Sequence, residues 1–250
     1  MQPHVIRMWP DIIKQSTTNT HWVPTIFIHL LQVRHYMTNY DMRAKLITEF
    51  VGTFFLALTI CTAAAFGTAG GHAPFAIAST LMVMIYAGGH VSGAHYNPAV
   101  TISIYLRGAC DKSDVAPYIA TQVAAGVAAA VIASNALMPE GEVAPLVMEA
   151  ESAFIAELLF TFALAYVILN VATSASTEGN GYYGAAIAFV VLAGALTVGS
   201  ISGASFNPAV TASLVTSGVL EASESWIHLV PQLAGAAMAA IVFKAQQPED

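Results

Sequence analysis

The sequence predicts an all-α membrane protein with six transmembrane helices, two re-entrant half-helices and an inverted internal repeat. Three observations support this fold class: the composition, six apolar segments of spanning length, and a ten-residue segment that occurs twice. Of the 250 residues, 56% are hydrophobic and 9% are charged. Soluble domains carry about 25% charged residues. A chain this poor in charge is therefore expected to have a lipid bilayer as its solvent.

Six segments of the chain are candidates for membrane spans. A helix needs about 20 mainly apolar residues to cross a hydrocarbon core about 30 Å thick. The segments that approach this length are residues 44–66, 73–88, 115–137, 149–171, 183–199 and 225–242. The second and the fifth are short, and each is followed by a further apolar stretch that begins with Asn-Pro.

The basic residues predict the orientation of the spans. With six spans and both termini on the cytoplasmic side, every Lys and Arg falls on that side, as the positive-inside rule requires. These residues are Arg7, Lys14, Arg34, Arg43, Lys45, Arg107, Lys112 and Lys244. The expected outer loops instead carry Glu140, Glu142, Glu221 and Glu224. We therefore expect an integral multi-pass protein of the plasma membrane with cytoplasmic termini.

Residues 1–41 differ from the rest of the chain, since they contain four of the eight histidines and no apolar stretch long enough to span. Two interpretations stay open for them: a cytoplasmic tail, or an extension upstream of a start at Met42. The channel-forming domain is expected at residues 42–250. Its first repeat covers about 44–137 and its second repeat about 149–243.

The two halves of the sequence repeat each other. Residues 92–101 read SGAHYNPAVT and residues 202–211 read SGASFNPAVT, which gives eight identities in ten. The offset between Asn97 and Asn207 is 110 (207 − 97). Each half has three expected spans, an odd number, so the second half must lie inverted in the membrane. Inverted repeats with a site at the midplane recur among membrane transport proteins.

Both repeats contain an Asn-Pro-Ala triplet: Asn97, Pro98 and Ala99 in the first, and Asn207, Pro208 and Ala209 in the second. Asn is a preferred helix N-cap and Pro is favoured at the first helical position, so each triplet predicts a helix start. A helix from Pro98 to about Leu106 would be about 14 Å long, which is half of the hydrocarbon thickness. Small residues precede each triplet and permit an extended backbone: Gly88, Gly89, Ser92, Gly93 and Ala94, then Gly199, Ser200, Ser202, Gly203 and Ala204.

Two half-helices that meet head to head would form a pore. Each helix N-terminus carries roughly half a positive charge, and the amide groups of Asn97 and Asn207 would point hydrogen-bond donors at the same place. Non-helical backbone at membrane depth is tolerated where it lines a water-filled cavity, and its carbonyl groups would offer acceptors. Such a lining suits small uncharged polar solutes and repels cations.

Several classes of function are not expected. The net charge is −7 and basic residues are not clustered, so nucleic acid is not an expected partner. Cys61 and Cys110 form neither a disulfide framework nor a metal-ligand pattern. The serines and histidines form no set of nucleophile, base and orienting group, so an enzyme is not expected. No cofactor and no metal is expected.

With these motifs, the chain from residue 43 to about residue 243 resembles the aquaporin (major intrinsic protein) family. The resemblance is carried by residues 49–54 (EFVGTF), residues 89–99 (GHVSGAHYNPA), Glu157 and residues 202–209 (SGASFNPA). It implies an aquaporin-like fold and a homotetramer with one pore per subunit.

The resemblance also implies roles for several polar residues. Glu49 and Glu157 would hold the pore loops through hydrogen bonds, which agrees with the high cost of an unpartnered carboxylate within a span. A proton relay is the alternative role for them. His95 would lie near the inner pore mouth. For His90 a position at the pore and a loop-packing role both stay open.

The chain departs from the family pattern at the selectivity filter. Members that conduct water usually have Arg directly after the second triplet, where this chain has Val210. Counting back without gaps from the two asparagines gives Ile77, Ala195 and Ala204 for the other three filter positions. This filter is apolar, small and uncharged, so we expect a wider opening with fewer hydrogen bonds than a strict water filter has.

The sequence thus favours a channel for water and small neutral solutes, with urea, ammonia, hydrogen peroxide or glycerol-sized molecules as candidates. A strict water channel is the first alternative. A secondary transporter and a non-conducting structural membrane protein are the others, and the coupled-ion site that a transporter needs has few candidate residues here.

Overall fold

The computed structural model describes residues 40–249. The predictions for residues 1–41 therefore lie outside the described residues, except at Tyr40 and Asp41. The described chain forms eight α-helices and contains no β-strand. The helices are α1 Met42–Thr59, α2 Ala73–Ser92, α3 Pro98–Arg107, α4 Lys112–Ile132, α5 Ala150–Ile168, α6 Tyr183–Ser202, α7 Pro208–Thr216 and α8 Trp226–Gln246.

Six of these helices are long and apolar enough to cross a membrane. Short π-helical turns lengthen three of them, namely Ile60–Ala65 after α1, Ala133–Leu137 after α4 and Leu169–Thr173 after α5. With these and other short turns, the six spans are 20 to 26 residues long. The remaining two helices, α3 and α7, have 10 and 9 residues, or about 15 and 14 Å. The prediction of six spans and two half-helices is confirmed.

The second and fifth spans extend beyond the predicted ends at Gly88 and Gly199, and the non-helical segments before the triplets are correspondingly short. Helix α2 continues through Gly88 and Gly89 to Ser92, and α6 continues through Gly199 and Ser200 to Ser202. Gly88 lies within this helix, where a Cβ would collide with the Tyr96 hydroxyl and with Thr48. The helices end one residue later, where Gly93 and Gly203 adopt left-handed φ values of +86° and +78°. This is the usual glycine stop signal of a helix.

The two halves interlock through their half-helices. In the first half α1 packs on α4, and in the second half α5 packs on α8. Half-helix α7 packs on α4 of the first half, and half-helix α3 packs on α8 of the second half. Helices α2 and α6 pack on each other between the halves. Neither half is therefore complete without the short helix of the other.

Glycines make this close approach of α7 to α4 possible. A Cβ on Gly126 of α4 would collide with the carbonyl oxygen of Ala209, and a Cβ on Gly235 of α8 would lie 2.5 Å from the carbonyl oxygen of Leu158 on α5. The neighbouring Ala125 is completely buried. These small-residue contacts lie within one subunit, a point that the sequence left open.

We expect Gly126→Ala to destabilise the protein, because the new methyl group meets backbone that cannot move aside. Overpacking of this kind costs about 1–3 kcal/mol. Gly199→Ala is the matched control, since Gly199 is also helical and has nothing within 4 Å of a built Cβ; it should raise stability by about 0.5–1 kcal/mol. Thermal unfolding in detergent measures both, and equal effects of the two substitutions would contradict this account of the packing.

Candidate functional site

The two half-helices begin at the asparagines of the triplets. Asn97 has extended backbone angles (φ −158°, ψ 120°), and its Oδ1 accepts hydrogen bonds from the N–H groups of Ala99 (2.9 Å) and Val100 (3.4 Å). Asn207 caps α7 in the same way, through the N–H of Ala209 at 2.9 Å. A proline at the first helical position follows each cap. The local structure therefore follows from ordinary capping chemistry.

The asparagine side chains also connect the two pore loops. Nδ2 of Asn97 donates to the carbonyl of Phe206, and Nδ2 of Asn207 donates to the carbonyl of Tyr96, both at 2.9 Å. The sequence did not reveal these bonds between the loops. One N–H of each amide holds the opposite loop, which leaves the second N–H for the cavity that both asparagines line.

The loops that lead to the asparagines have an unusual backbone. Four residues other than glycine adopt positive φ values near +50°: Ala94, Tyr96, Ala204 and Phe206. For a residue with a side chain this conformation costs roughly 1–2 kcal/mol. Other contacts must therefore hold the loops in place.

Glu49 supplies these contacts in the first half. The residue lies on α1 and is completely buried. Its Oε1 accepts hydrogen bonds from the Ser92 hydroxyl (2.6 Å) and the His95 N–H (2.9 Å). Its Oε2 accepts from the Tyr96 N–H (2.7 Å) and from Nε2 of Gln122 (2.8 Å). The carboxylate thus has two donors on each oxygen.

Glu157 on α5 repeats this arrangement in the second half, and it is also completely buried. Its Oε1 accepts from the Ser202 hydroxyl (2.8 Å) and the Ser205 N–H (3.0 Å). Its Oε2 accepts from the Phe206 N–H and from Nε2 of Gln232, both at 2.8 Å. Each pore loop is therefore fixed by one membrane-embedded carboxylate.

Sequence reasoning missed the residues that complete these networks. Gln122 and Gln232 are completely buried partners of the two glutamates, and they are 110 positions apart (232 − 122), the offset of the triplets. Tyr118 and His228 are related by the same offset. The Tyr118 hydroxyl lies 2.8 Å from the Ser92 carbonyl oxygen, and His228 Nε2 lies 2.7 Å from the Ser202 carbonyl oxygen. The signal was present, because polar side chains in apolar spans recur at the repeat offset.

A cavity of about 1200 Å³ passes along both loops. The four residues proposed for the selectivity filter line it: Ile77 on α2, Ala195 on α6, Ala204 on the second loop and Val210 in the first turn of α7. Val210 is 2% exposed and packs in an apolar cluster with Leu214 and Leu220. The filter positions thus belong to the same cavity as Asn97 and Asn207.

Both candidate histidines line the cavity as well. His95 is 9% exposed, and its Nδ1 lies 3.1 Å from the Thr101 hydroxyl. Its ring packs edge to face on Tyr118, with 5.1 Å between the ring centres. His90 is exposed in the last turn of α2, and its pore and loop-packing roles both stay predictions.

Residues of both pore loops form part of the cavity lining. Gly93, Ala94 and His95 line the cavity in the first loop, and Gly203, Ala204 and Ser205 do so in the second. No donor among residues 40–249 bonds to these six carbonyl oxygens. They are left for a permeating molecule, between walls that are otherwise mainly aliphatic.

The cavity reaches a polar mouth formed by the segment between α5 and α6. Thr173 and Ser174 line this mouth. Arg107 donates from Nε to the Thr173 hydroxyl (3.0 Å), and its guanidinium lies 5.0 Å from the centre of the Phe243 ring. The Ser174 hydroxyl donates to Oε1 of Gln247 (2.7 Å). The chain after α8 therefore helps to fix the mouth, which the sequence did not reveal.

Comparisons with known proteins agree on one family. The sequence model of the major intrinsic protein family matches residues 36–243. Aquaporin NIP1-3 of Oryza sativa subsp. japonica is 40% identical over 188 residues, which cover 71% of this chain and 65% of that protein. Aquaporin NIP1-2 of Arabidopsis thaliana is 32% identical over 216 residues, which cover 80% of this chain and 72% of the relative.

A solved structure supports the fold. The aquaglyceroporin from Plasmodium falciparum superposes with a TM-score of 0.69 and 20% sequence identity, and the match covers 83% of this chain and 98% of that one. With six spanning helices, the chain is an integral multi-pass membrane protein. It belongs to the major intrinsic protein family of aquaporin-type membrane channels.

Proposed function

We propose that this protein is a passive channel for water and small neutral solutes, with an apolar selectivity filter of Ile77, Ala195, Ala204 and Val210. One observation carries the proposal. The cavity that contains both asparagines has no Lys or Arg among its described lining residues. Two filter side chains are single methyl groups, so urea, ammonia, hydrogen peroxide and glycerol-sized molecules are the candidate solutes.

The polar groups of the cavity support passage of neutral hydrogen-bonding molecules. Unpaired carbonyl groups accept along both loops, and the second N–H groups of Asn97 and Asn207 donate between them. The N-termini of α3 and α7 meet at the same place and contribute a positive potential. That potential and the apolar filter act against cations, since a cation would lose water without gaining a negative partner.

Glu49 and Glu157 act as loop supports in this proposal. Each carboxylate has two donors on both oxygens. A relay would need an oxygen free to exchange a proton with the cavity, so support is favoured over proton relay. His95 belongs to the inner pore mouth.

The proposed assembly is a homotetramer with one pore per subunit in the plasma membrane, and both termini are cytoplasmic. The orientation is supported by the described basic residues, Arg43, Lys45, Arg107, Lys112 and Lys244. They lie at the start of α1, the end of α3, the start of α4 and the end of α8. In a six-span topology these four helix ends lie on the same side of the membrane, as the positive-inside rule requires of basic residues. Exposed apolar side chains such as Phe189 and Ile241 suit contact with lipid or with another subunit.

The direct test is solute permeability. In proteoliposomes examined by stopped-flow light scattering, we expect both water and urea to cross faster than in empty vesicles. Ala195→Trp is the matched control, since an indole at this cavity-lining position should block both fluxes while α6 still folds. Fast water with urea at the level of empty vesicles would identify a strict water channel and contradict the solute part of the proposal.

A second prediction concerns the missing arginine. Val210→Arg should lower urea and glycerol permeability by about tenfold, the scale on which one pocket group discriminates between substrates, and should leave water permeability largely unchanged. The guanidinium adds bulk and hydrogen-bond donors at the filter, and water can still pass beside it. Val210→Leu separates bulk from charge and should give a smaller decrease. Unchanged urea flux in Val210→Arg would rule out the filter assignment.

The loop supports give a third prediction. Glu49→Gln replaces one carboxylate oxygen by an N–H₂ group that faces other donors, so it should lower the free energy of unfolding by about 3 kcal/mol. Water permeability per folded protein should also fall. Glu151→Gln is the control, because Glu151 is exposed in the first turn of α5. A Glu49→Gln protein with the thermal stability of Glu151→Gln would show that the hydrogen-bond network does not support the loop.

A further inference from the structure

The pore lining follows the inverted repeat more closely than the filter assignment alone suggests. Five cavity residues form what we name the Ala195 ring: Ile60, Ile77, Ala195, Ala204 and Val210. Each of these residues has a counterpart in the other repeat that also lines the cavity. The offset between counterparts is 110 positions, except between the first and fourth spans, where it is 108. The counterparts form the Ile85 ring: Ile168, Ile187, Ile85, Ala94 and Val100.

The two rings have the same side chains at four of their five positions. Ile60 corresponds to Ile168, Ile77 to Ile187, Ala204 to Ala94, and Val210 to Val100. The fifth pair differs, because Ala195 on α6 corresponds to Ile85 on α2. An isoleucine has three more carbon atoms than an alanine. On nearly the same backbone, the Ile85 ring therefore leaves less room for a solute.

Burial supports this difference independently of composition. All five residues of the Ile85 ring are buried, with exposed fractions between 2% and 8%, and all five belong to one continuous apolar cluster. In the Ala195 ring, Ile60, Ala195 and Ala204 are only half-buried. Ile77 and Val210 of the Ala195 ring are buried as well, so the two rings differ in burial at three of their five positions.

We propose that Ile85 is a specificity-determining residue, and that the Ile85 ring, rather than the Ala195 ring, sets the size limit for neutral solutes. This inference rests on the proposed channel function. It follows from two constrictions in series, because the narrower one limits the size of the molecule that passes. The Ala195 ring, which has small side chains and no arginine, then admits solutes of several sizes, and the Ile85 ring limits which of them can cross.

The test compares opposite substitutions at the related positions, with the glycerol-to-water permeability ratio of proteoliposomes as readout. Ile85→Ala should raise this ratio by about threefold or more, since single methylene groups already discriminate by about tenfold in tight pockets. Ala195→Ile should change it less than about twofold, because it only makes the wider ring equal to the narrower one. The double variant Ile85→Ala/Ala195→Ile keeps the total side-chain content and should return the ratio to that of the wild type.

Ile227→Ala controls for loss of apolar packing, since Ile227 is buried but does not line the cavity; its ratio should be that of the wild type. If Ile85→Ala does not fold, Ile85→Val removes one methylene and should give a smaller rise of the same sign. An unchanged ratio in the folded Ile85 variants, together with a strong decrease in Ala195→Ile, would overturn the inference and assign the limit to the Ala195 ring.

The outcomes also separate this inference from the proposed function. Wild-type vesicles no more permeable than empty ones to water and solutes would overturn both. A wild-type protein that passes water alone, with glycerol passage gained in Ile85→Ala, would contradict only the proposed solute conduction and support the Ile85 ring as the size limit. A wild-type protein that passes urea or glycerol, with Ile85 variants unchanged, would overturn only the present inference.

Discussion

Two buried carboxylates determine whether this pore can exist. The loops that lead to the asparagines contain several left-handed residues, and their N–H groups have no partner within a helix. Inside a bilayer no water is available to bind such N–H groups. Glu49 and Glu157 each bind two loop N–H groups, a serine hydroxyl and a glutamine amide. The glutamates bind the N–H groups of loop residues that also line the cavity. The polar lining is thus a consequence of where the two glutamates lie.

The same loops connect the two halves. Asn97 and Asn207 cap their own half-helices and donate to the opposite loop. The half-helices pack on spans of the other repeat, where glycines such as Gly126 allow backbone contact. Loop, cap and helix packing are therefore mutually dependent. A change at one of these points acts on both halves, because neither loop has all its hydrogen-bond partners within its own repeat.

The sequence revealed most of the fold because its signals are local. Apolar length predicts spans, Asn-Pro predicts a helix start, and a repeat with three spans in each half predicts inversion. The predicted ends of the second and fifth spans, at Gly88 and Gly199, came too early because glycine is compatible with both helix and loop. The helices end only at Gly93 and Gly203, which adopt a left-handed φ. Gln122 and Gln232 were missed because a polar residue in a span has many possible partners. Their bonds to Glu49 and Glu157 link residues that are 73 and 75 positions apart.

Symmetry is strict where the backbone must be held, and two departures from it lie among the residues that line the cavity. The serine, glutamine and glutamate that hold each loop are the same in both halves, since both loops have the same N–H groups to satisfy. The two rings that line the cavity are identical at four of five positions, but Ile85 corresponds to Ala195, and beside them His95 corresponds to Ser205. A duplicated pore can therefore become selective in one half without losing its fold. The two ends of this pore are built on one scaffold, and the exchange of Ile85 for Ala195 shows that a side chain in its lining can change while the loop supports stay the same.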